Sequence, residues 1–278
     1  MSMLIDITIL VENSASGSLK SEHGLSFWLK FDGKHILFDT GQTDIIMDNA
    51  DQVGINPADA DAVILSHGHY DHTGGIPSVF AVAENAALYL HPNSMDAKYS
   101  KKPGRVKMVG MPEEARKVID SLAAKNRIVM TESVTEVLPG LFVTGTIPRK
   151  TGFEDTGGDF YLDKCCTVPD KLLDDQAIFF KTEKGLVVLL GCAHSGVVNT
   201  LDYISVLTGE KHIHAVLGGM HLAGASAKRV DLTIEALKKY DVQELGPAHC
   251  TGSSAMERFK KAFPDQWFEC ITGSRISY

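Results

Sequence analysis

The amino-acid sequence predicts a single α/β domain in which two β-sheets pack face to face and helices cover their outer surfaces. Each half of the chain opens with a β-hairpin and then alternates strand with helix, a pattern typical of layered α/β folds. A chain of 278 residues with 44% apolar residues can bury a large core. No shift in composition marks a linker, so we expect one domain over residues 1–278.

The first half of the chain carries strand and turn signals in close succession. Residues 4–11 form a β-rich run, and residues 25–31 and 35–39 flank Asp32-Gly33-Lys34, which is a hairpin signal. The following segments are predicted as a helix over 42–52, a strand over 61–66, a helix over 76–84 and a strand over 87–91.

The second hairpin joins residues 176–182 to residues 186–191. Helical periodicity is found at 113–124, 197–207, 226–240 and 253–262, and strand-like runs at 127–130, 134–138, 141–146, 212–217, 242–245 and 273–277. Residues 147–175 contain several prolines and glycines and are predicted as a long loop. Because long loops in compact domains are often functional, we expect an insertion over roughly 92–175 to shape a substrate pocket.

Charge and composition limit the classes of partner. The net charge is -8 and the pI about 5.7, which argues against nucleic acid or an anionic membrane. No apolar stretch reaches the roughly 18 residues that span a bilayer, and the first residues lack a basic signal-peptide region. Five irregularly spaced cysteines fit reduced thiols. We therefore expect a cytoplasmic protein with a small-molecule substrate; the sequence leaves its oligomeric state open.

The run His67-Gly68-His69-Tyr70-Asp71-His72 directly follows a predicted strand. Imidazole nitrogens and carboxylate oxygens are ligands that suit zinc, manganese and iron. Alternate side chains of an extended segment face one side, so His67, His69 and Asp71 can converge, and a turn would bring in His72. One ion cannot easily use four groups at such close spacing, whereas two adjacent ions can. The run therefore predicts a pair of divalent metal ions, with zinc expected and manganese or iron as alternatives.

Other polar residues also stand at predicted strand ends, where sites gather in layered α/β folds. His194 and His249 each lie between a strand and a helix and are predicted metal ligands. His221 is open to three roles: metal ligand, catalytic acid or base, or support for a ligand. Asp39 is expected to accept a hydrogen bond from a ligand histidine and fix its tautomer. His23 lies in a loop that we expect near the site.

These residues resemble the metallo-β-lactamase superfamily over essentially the whole chain. The matching motifs are, in order, Phe38-Asp39-Thr40-Gly41, His67-x-His69-x-Asp71-His72, His194 and His249. The resemblance implies a four-layer αββα sandwich with a two-metal site along one edge of the sheets. It implies that one ion is held by His67, His69 and His194. It implies that the other is held by Asp71, His72 and His249.

The chain departs from that pattern at one strand end. Superfamily members commonly place an aspartate between the third and fifth motifs to bridge the metals, but here Gly218-Gly219-Met220-His221 stands there. His221 is therefore expected to replace the aspartate as a ligand of one metal. Further segments around Glu22, His194, His221 and His249 resemble a branch described as 7,8-dihydropterin-6-yl-methyl-4-(β-D-ribofuranosyl)aminobenzene 5′-phosphate synthase-like proteins, many of which are simply called metal-dependent hydrolases.

The resemblance implies a metal-dependent hydrolase acting on a phosphorylated or diphosphate-bearing small molecule. Asp71 would orient the attacking water and His221 would protonate the leaving group. The alternatives are a synthase that joins a dihydropterin methyl diphosphate to an aryl ribofuranosyl phosphate, and a metal-binding sensor without turnover. Glu22, His23, Arg149 and Lys150 are expected to contact the substrate. Further cations that would bind phosphate are Lys101, Lys102 and Arg105, unless they form only a solvated surface.

Overall fold

The computed structural model describes residues 4–278 and contains two mixed β-sheets that pack face to face between two layers of helices. This arrangement confirms the predicted α/β four-layer sandwich. One apolar core lies between the two sheets. The outer face of each sheet and the helices that cover it enclose one further core, which gives three cores in the described residues. None of the helices within residues 4–278 combines the length and the apolar character needed to cross a membrane.

The first sheet has seven strands and carries the N-terminal part of the chain. In spatial order they are β16 (Arg275–Ser277), β1 (Ile5–Val11), β2 (Ser26–Phe31), β3 (Lys34–Phe38), β4 (Ala62–Ile64), β5 (Ala87–Leu90) and β8 (Ile128–Met130). Pairing is antiparallel from β16 to β3 and parallel from β3 to β8. Asp32 and Gly33 join β2 to β3 with φ values of 47° and 76°, as a tight hairpin turn requires.

The second sheet has six strands and repeats this mixture. In spatial order they are β15 (Glu244–Ala248), β14 (Ile213–Gly219), β13 (Gly185–Leu190), β12 (Ala177–Thr182), β10 (Leu141–Val143) and β9 (Thr135–Leu138). Pairing is parallel from β15 to β13 and antiparallel from β13 to β9. The rings of Phe31 and Phe180, one from each sheet, meet edge to face with their centroids 5.4 Å apart. Large apolar side chains therefore fill the space between the sheets.

The helices cover the outer faces. The α-helices in residues 4–278 are α1 (Ile45–Gln52), α2 (Tyr70–Thr73), α3 (Ile76–Phe80), α4 (Glu113–Ala124), α5 (Val197–Thr208), α6 (Ala227–Lys239) and α7 (Ser253–Ala262). Short 3₁₀ helices span Pro57–Asp59, Pro92–Met95 and His249–Thr251. Helices α1, α3 and α4 pack on the first sheet, and α5, α6 and α7 pack on the second.

Two predicted helices are shorter than the sequence suggested. Helix α1 begins at Ile45 rather than at residue 42, because the carboxylate of Glu22 accepts hydrogen bonds from the backbone N–H groups of Gln42 and Thr43 and holds them in a loop. Helix α3 ends at Phe80 rather than at residue 84, and tight turns follow it. Side-chain hydrogen bonds from Glu22 thus decide where helix α1 begins.

A third, three-stranded sheet was not predicted. It consists of β11 (Phe160–Tyr161), β6 (Tyr99–Lys102) and β7 (Arg105–Met108). The turn between β6 and β7 contains Pro103 and Gly104, and the φ of Gly104 is +73°, so a sequence signal for this hairpin existed. The prediction that residues 92–175 form an insertion is wrong for much of that range. Strand β8 belongs to the first sheet, β9 and β10 belong to the second, and α4 packs on the first sheet. Only the third sheet and its connections stand apart from them.

A buried charge network joins the third sheet to the rest of the domain. The ammonium of Lys98 lies 3.0 Å from Asp170 Oδ2 and 2.9 Å from Asp174 Oδ1, and all three side chains are buried. The second oxygen of Asp174 accepts a hydrogen bond of 2.8 Å from the backbone N–H of Gly68. Lys98, directly before β6, is thereby coupled to the loop that carries the histidine run.

Replacing Lys98 by methionine should therefore destabilise the protein strongly. The Lys98→Met change leaves two buried carboxylates without their cation, and breaking a buried pair in this way costs about 3–5 kcal/mol. Urea denaturation followed by circular dichroism measures the change. Lys20→Met is the matched control, because it removes an exposed Lys–Asp pair and should have little effect. Equal stabilities of the two variants would contradict the prediction.

Candidate metal centre

The candidate site lies where the carboxyl ends of parallel strands from both sheets meet. Asp39 follows β3, and His67 lies three residues after β4, both in the first sheet. His194 follows β13, His221 follows β14 and His249 follows β15, all in the second sheet. The predicted strand-end residues therefore come from both sheets, as the sandwich requires for a site along its edge.

Three histidines form one half of the site. His67 Nε2 lies 2.9 Å from His69 Nδ1, and the imidazole ring centroids of His69 and His194 are 5.0 Å apart. His67 Nδ1 contacts Ser66 Oγ at 2.8 Å, and His194 Nδ1 lies 2.7 Å from the carbonyl oxygen of Thr156. His67 Nε2 therefore faces the His69 ring within the cluster, and His194 Nε2 has no hydrogen-bond partner among residues 4–278.

Asp71, His72 and His249 form the other half. His249 Nε2 lies 3.2 Å from Asp71 Oδ2 and 3.3 Å from His72 Nε2. Asp39 Oδ2 contacts His72 Nδ1 at 2.6 Å, which is the contact expected from the sequence. The amide oxygen of Asn13, which was not predicted, lies 2.9 Å from His249 Nδ1. These outer contacts orient the two rings so that their Nε2 atoms face each other.

The charge states of this half follow from its contacts. Burial lowers the pKa of His72, but the charge and the hydrogen bond of Asp39 outweigh burial and raise that pKa to about 9, so a metal ion that binds this ring must displace its proton. Burial raises the pKa of Asp71, but hydrogen bonds from His23 and His249 outweigh it and hold that pKa well below its usual range. Asp71 is therefore a carboxylate, the form that binds a cation.

The donor set fits divalent metal ions. Burial is the main cause that lowers the pKa values of His67, His69 and His194 well below the usual range, so these imidazoles are neutral and able to ligate. Among residues 4–278, the buried Nε2 atoms of His69 and His194 have no hydrogen-bond partner. An unpaired buried polar atom is costly, and a cation between converging nitrogens removes that cost. We therefore regard the cluster as a candidate metal centre.

Two cysteines belong to the cluster and were not predicted. The donor atoms of His67, Cys192 and His194 lie within 4.8 Å of one another, and so do those of His72, Cys192 and His249. A third group that meets the same distance consists of Cys192, His221 and Cys250. Each cysteine stands next to or two residues from a predicted ligand histidine, which is the signal that could have revealed it.

His221 and His23 both lie beside the predicted ligands. The ring centroid of His221 is 4.2 Å from that of His194, and its backbone has a φ of +44°, which is rare outside glycine. A Cβ atom on Gly157 would come within 2.0 Å of the His221 ring, so glycine at that position makes room for the imidazole. His23 Nε2 lies 3.1 Å from Asp71 Oδ2. The structure thus brings both histidines into the site.

A cavity of about 800 Å³ opens onto the cluster. Residues of the cluster that line it are His23, His69, Asp71, Cys192, His221, His249 and Cys250. The β6–β7 hairpin adds a basic wall to the same cavity, formed by Lys101, Lys102, Arg105 and Lys107. The ring of Phe160, from β11, also lines the cavity and lies 5.1 Å from the His69 ring, measured between centroids. The third sheet is therefore one wall of the cavity.

Three residues expected to contact a substrate lie elsewhere, which corrects the prediction. The carboxylate of Glu22 is occupied by the loop at Gln42 and Thr43 and does not line the cavity. The guanidinium of Arg149 donates to backbone carbonyl oxygens, including that of His194 at 2.7 Å. Lys150 lines a different surface pocket beside helix α5. Backbone groups and a neighbouring helix thus engage these side chains, and sequence alone does not show such long-range contacts.

Two adjacent aspartates anchor the loops that carry the histidines. Asp174 accepts from the N–H of Gly68, inside the histidine run, as described for the buried charge network. The two carboxylate oxygens of Asp175 accept from the N–H groups of His194 at 3.0 Å and Ser195 at 2.8 Å. Consecutive side chains therefore fix one loop from each sheet relative to the other. Both aspartates end the predicted long loop over 147–175, which was expected to shape a substrate pocket, and neither was predicted to hold the histidine loops.

Comparison with known proteins agrees with this geometry. The metallo-β-lactamase superfamily model matches residues 21–151. A protein of Methanocaldococcus jannaschii named 7,8-dihydropterin-6-methyl-4-(β-D-ribofuranosyl)-aminobenzene-5′-phosphate synthase is 32% identical over 268 residues, covering 93% of this chain and 90% of that protein. An uncharacterized protein of the same organism is 30% identical over 256 residues, covering 92% of this chain and 94% of that one.

A solved structure is similar in fold over nearly the full length. It is described as a metal-dependent hydrolase of the β-lactamase superfamily, with a TM-score of 0.82 and 29% identity over 98% of both chains. With the sandwich fold, the strand-end histidines and these similarities in place, the chain belongs to the metallo-β-lactamase superfamily. The resemblance inferred from the motifs is therefore confirmed.

Alanine at a central histidine should remove bound metal. His67→Ala, His69→Ala and His194→Ala each delete one nitrogen donor, and we expect most of the metal, together with any metal-dependent activity, to be lost. Inductively coupled plasma analysis of the purified variants measures the metal content. His212→Ala is the control, because its partly exposed ring lies outside the cluster. Full metal content in the first three variants would refute the assignment.

Proposed function

We propose that the protein is a hydrolase that uses two divalent metal ions, with zinc expected and manganese or iron as alternatives, and acts on a phosphorylated or diphosphate-bearing small molecule. One observation carries the proposal. The basic residues Lys101, Lys102, Arg105 and Lys107 line the same cavity as the histidine cluster. Cations that share a cavity with a metal centre suit a substrate that carries negative charge at one end and a reacting group at the other.

The basic wall is part of the folded structure rather than a loose surface patch. Lys107 Nζ donates to the Tyr70 hydroxyl at 2.9 Å and lies 4.1 Å from the centre of the Tyr70 ring. The backbone N–H of Tyr70 donates to the carbonyl of Val109 at 3.0 Å, directly after β7. Because Tyr70 lies within the histidine run, the wall and the cluster are held at a fixed separation.

The expected ligands divide between two ions as the superfamily resemblance implies. His67, His69 and His194 would hold one ion, and Asp71, His72 and His249 the other. Two bound divalent ions would act as Lewis acids that stabilise negative charge on a phosphoryl oxygen and make water a better nucleophile at neutral pH.

The chain's own residues would then position the reactants. The Asp71 carboxylate faces the cavity and would accept a hydrogen bond from the attacking water, with its Oδ2 oriented by His23 at 3.1 Å. His221 lines the cavity on the side of Cys250 and would donate a proton from a ring nitrogen to the leaving group. Lys101 and Arg105 would bind the charged end of the substrate through hydrogen bonds to its phosphate oxygens.

A second candidate reaction is transfer of a dihydropterin group from its methyl diphosphate to an aryl ribofuranosyl phosphate. The 32% identical relative carries the name of such a synthase. The ring of Phe160 lines the cavity beside the His69 and His221 rings, and a flat heterocycle packs well on such a surface. In this reading the basic wall would hold the phosphate groups of the two reactants.

Hydrolysis is tested with a substrate panel. Metal-loaded protein would be given phosphomonoesters, phosphodiesters and diphosphate esters, and phosphate or alcohol release would be measured. We expect turnover of at least one class, abolished by a chelator and restored by added metal, because the ions supply the charge stabilisation. Protein that retains its metal but turns over no compound of the panel would favour a sensor over a hydrolase.

The role of the basic wall is tested on whichever ester is hydrolysed. The double change Lys101→Ala with Arg105→Ala should raise KM about 10-fold or more, since a hydrogen bond to a charged group contributes about 1.5–3 kcal/mol. The value of kcat should change less. The control is Lys238→Ala with Lys239→Ala, which removes two cations from the end of α6, outside the cavity. An unchanged KM in the first variant would remove the basis for an anionic substrate.

The synthase reaction requires its own assay. Purified protein would receive a dihydropterin methyl diphosphate and an aryl ribofuranosyl phosphate, and the coupled product would be followed by mass spectrometry. If Phe160 and the basic wall hold both reactants at once, we expect coupled product to form. Phe160→Leu, which keeps an apolar side chain but removes the ring, should then lower the yield of coupled product. Diphosphate release without a coupled product would count against the synthase.

A further inference from the structure

We propose that Cys192 supplies a sulfur ligand shared by the two metal ions. The inference rests on the two-ion centre of the proposed function and names the donor that would join its halves. In two-metal sites the ions lie about 3.5–4 Å apart, so a bridging donor must reach both ligand groups. Cys192 meets that requirement in the described part of the chain.

The position of the Cys192 sulfur carries the argument. Its Sγ lies within 4.8 Å of the donor nitrogens of His67 and His194, in one half of the site. It also lies within 4.8 Å of those of His72 and His249 in the other half, and its distance to His72 Nε2 is 3.3 Å. Of the donor groups found in residues 4–278, these two share no other member. The sulfur therefore stands between the halves.

The backbone places Cys192 at this point with little freedom. The residue follows the end of β13, and Gly191 before it packs so closely that a Cβ atom there would come within 2.0 Å of Ser66 Oγ. Ala193 after it has a φ of +53°, which turns the chain directly from Cys192 to His194. A tight approach on one side and a turn on the other thus fix the side chain between the two histidine groups.

Two other donors lie near Cys192, the carboxylate of Asp71 and the sulfur of Cys250, but neither lies between the two halves of the site. Asp71 Oδ2 groups with His249 and His23, and it lies 3.9 Å from His72 Nε2, so it belongs to one half alone. Cys250 groups with Cys192 and His221, and its sulfur accepts from the backbone N–H of His221 at 3.3 Å. Cys250 therefore lies to one side of the cluster, whereas Cys192 lies between its halves.

A buried cysteine is often only a small apolar side chain. The surroundings of Cys192 are different, because imidazole nitrogens lie around its sulfur and the residue lines the cavity. Two buried histidine nitrogens of the same cluster, His69 Nε2 and His194 Nε2, have no hydrogen-bond partner in the portion of the chain from residue 4 onward. Thiolate is a strong ligand for zinc and other borderline ions, and binding of the cation would release the thiol proton to solvent.

Cobalt substitution tests the proposal without relying on turnover. The full-length protein would be loaded with Co²⁺, and the sulfur-to-cobalt charge-transfer absorption in the near ultraviolet would be recorded for the unmodified protein, Cys192→Ser and Cys250→Ser. We expect the band in the unmodified protein and in Cys250→Ser, and its loss in Cys192→Ser. Loss in Cys250→Ser with retention in Cys192→Ser would overturn the proposal.

X-ray absorption at the cobalt edge separates a shared sulfur from one bound to a single ion. In Cys250→Ser loaded with two ions, a shared Cys192 gives one sulfur for each cobalt, whereas a sulfur on one ion gives one for every two. This measurement does not require Cys192→Ser to fold. Two bound ions with the lower sulfur count, or with none, would reject the bridge while leaving the two-ion hydrolase intact. Failure of the unmodified protein to bind a second ion would reject both.

Discussion

The face-to-face packing of the two sheets is the constraint on which the site depends. Each sheet combines an antiparallel part with a parallel part, and the carboxyl ends of the parallel strands from both sheets lie along one edge. The core between the sheets fixes their distance, and the side chains after β4, β13 and β15 therefore converge. No single strand or loop could gather this many nitrogen, oxygen and sulfur donors, because the donors on each sheet supply only part of the set.

The close convergence is accompanied by unusual backbone geometry. Asp39, Ala193, His221 and His249 all have positive φ values, between 44° and 61°, although none is glycine. Such conformations cost roughly 1–3 kcal/mol each and persist only where the surrounding structure holds them. Here strand pairing, the Asp174–Asp175 anchors and the outer hydrogen bonds to the rings supply that support. Contacts within the protein therefore hold these four residues in conformations that they would rarely adopt alone.

The sequence predicted those parts of the fold and site whose signals are local. Hairpin turns, helical periodicity and the His-x-His-x-Asp-His run depend on neighbouring residues, and Asp39 was found because it ends a strand. Cys192 was not predicted, because its position in the cluster depends on histidines that are far apart in the sequence, such as His67, His72 and His249. The β6–β7 hairpin has strands of only four residues, and its Pro103-Gly104 turn was the sole clear signal. Glu22 and Arg149 were misplaced because their partners are backbone groups distant in sequence.

The basic hairpin has a consequence for how ligands arrive. The chain as a whole carries a net charge of -8, so its summed field repels an anion at long range. The four cations that line the cavity create a local region of opposite sign, which would attract an approaching anion. Encounter would therefore be fastest in dilute buffer and would slow as added salt shortens the Debye length, which is about 8 Å at physiological ionic strength. In a mixture of metabolites, anionic molecules would therefore reach the cavity faster than neutral or cationic ones. This difference in association rate would act before any contact with the metal centre.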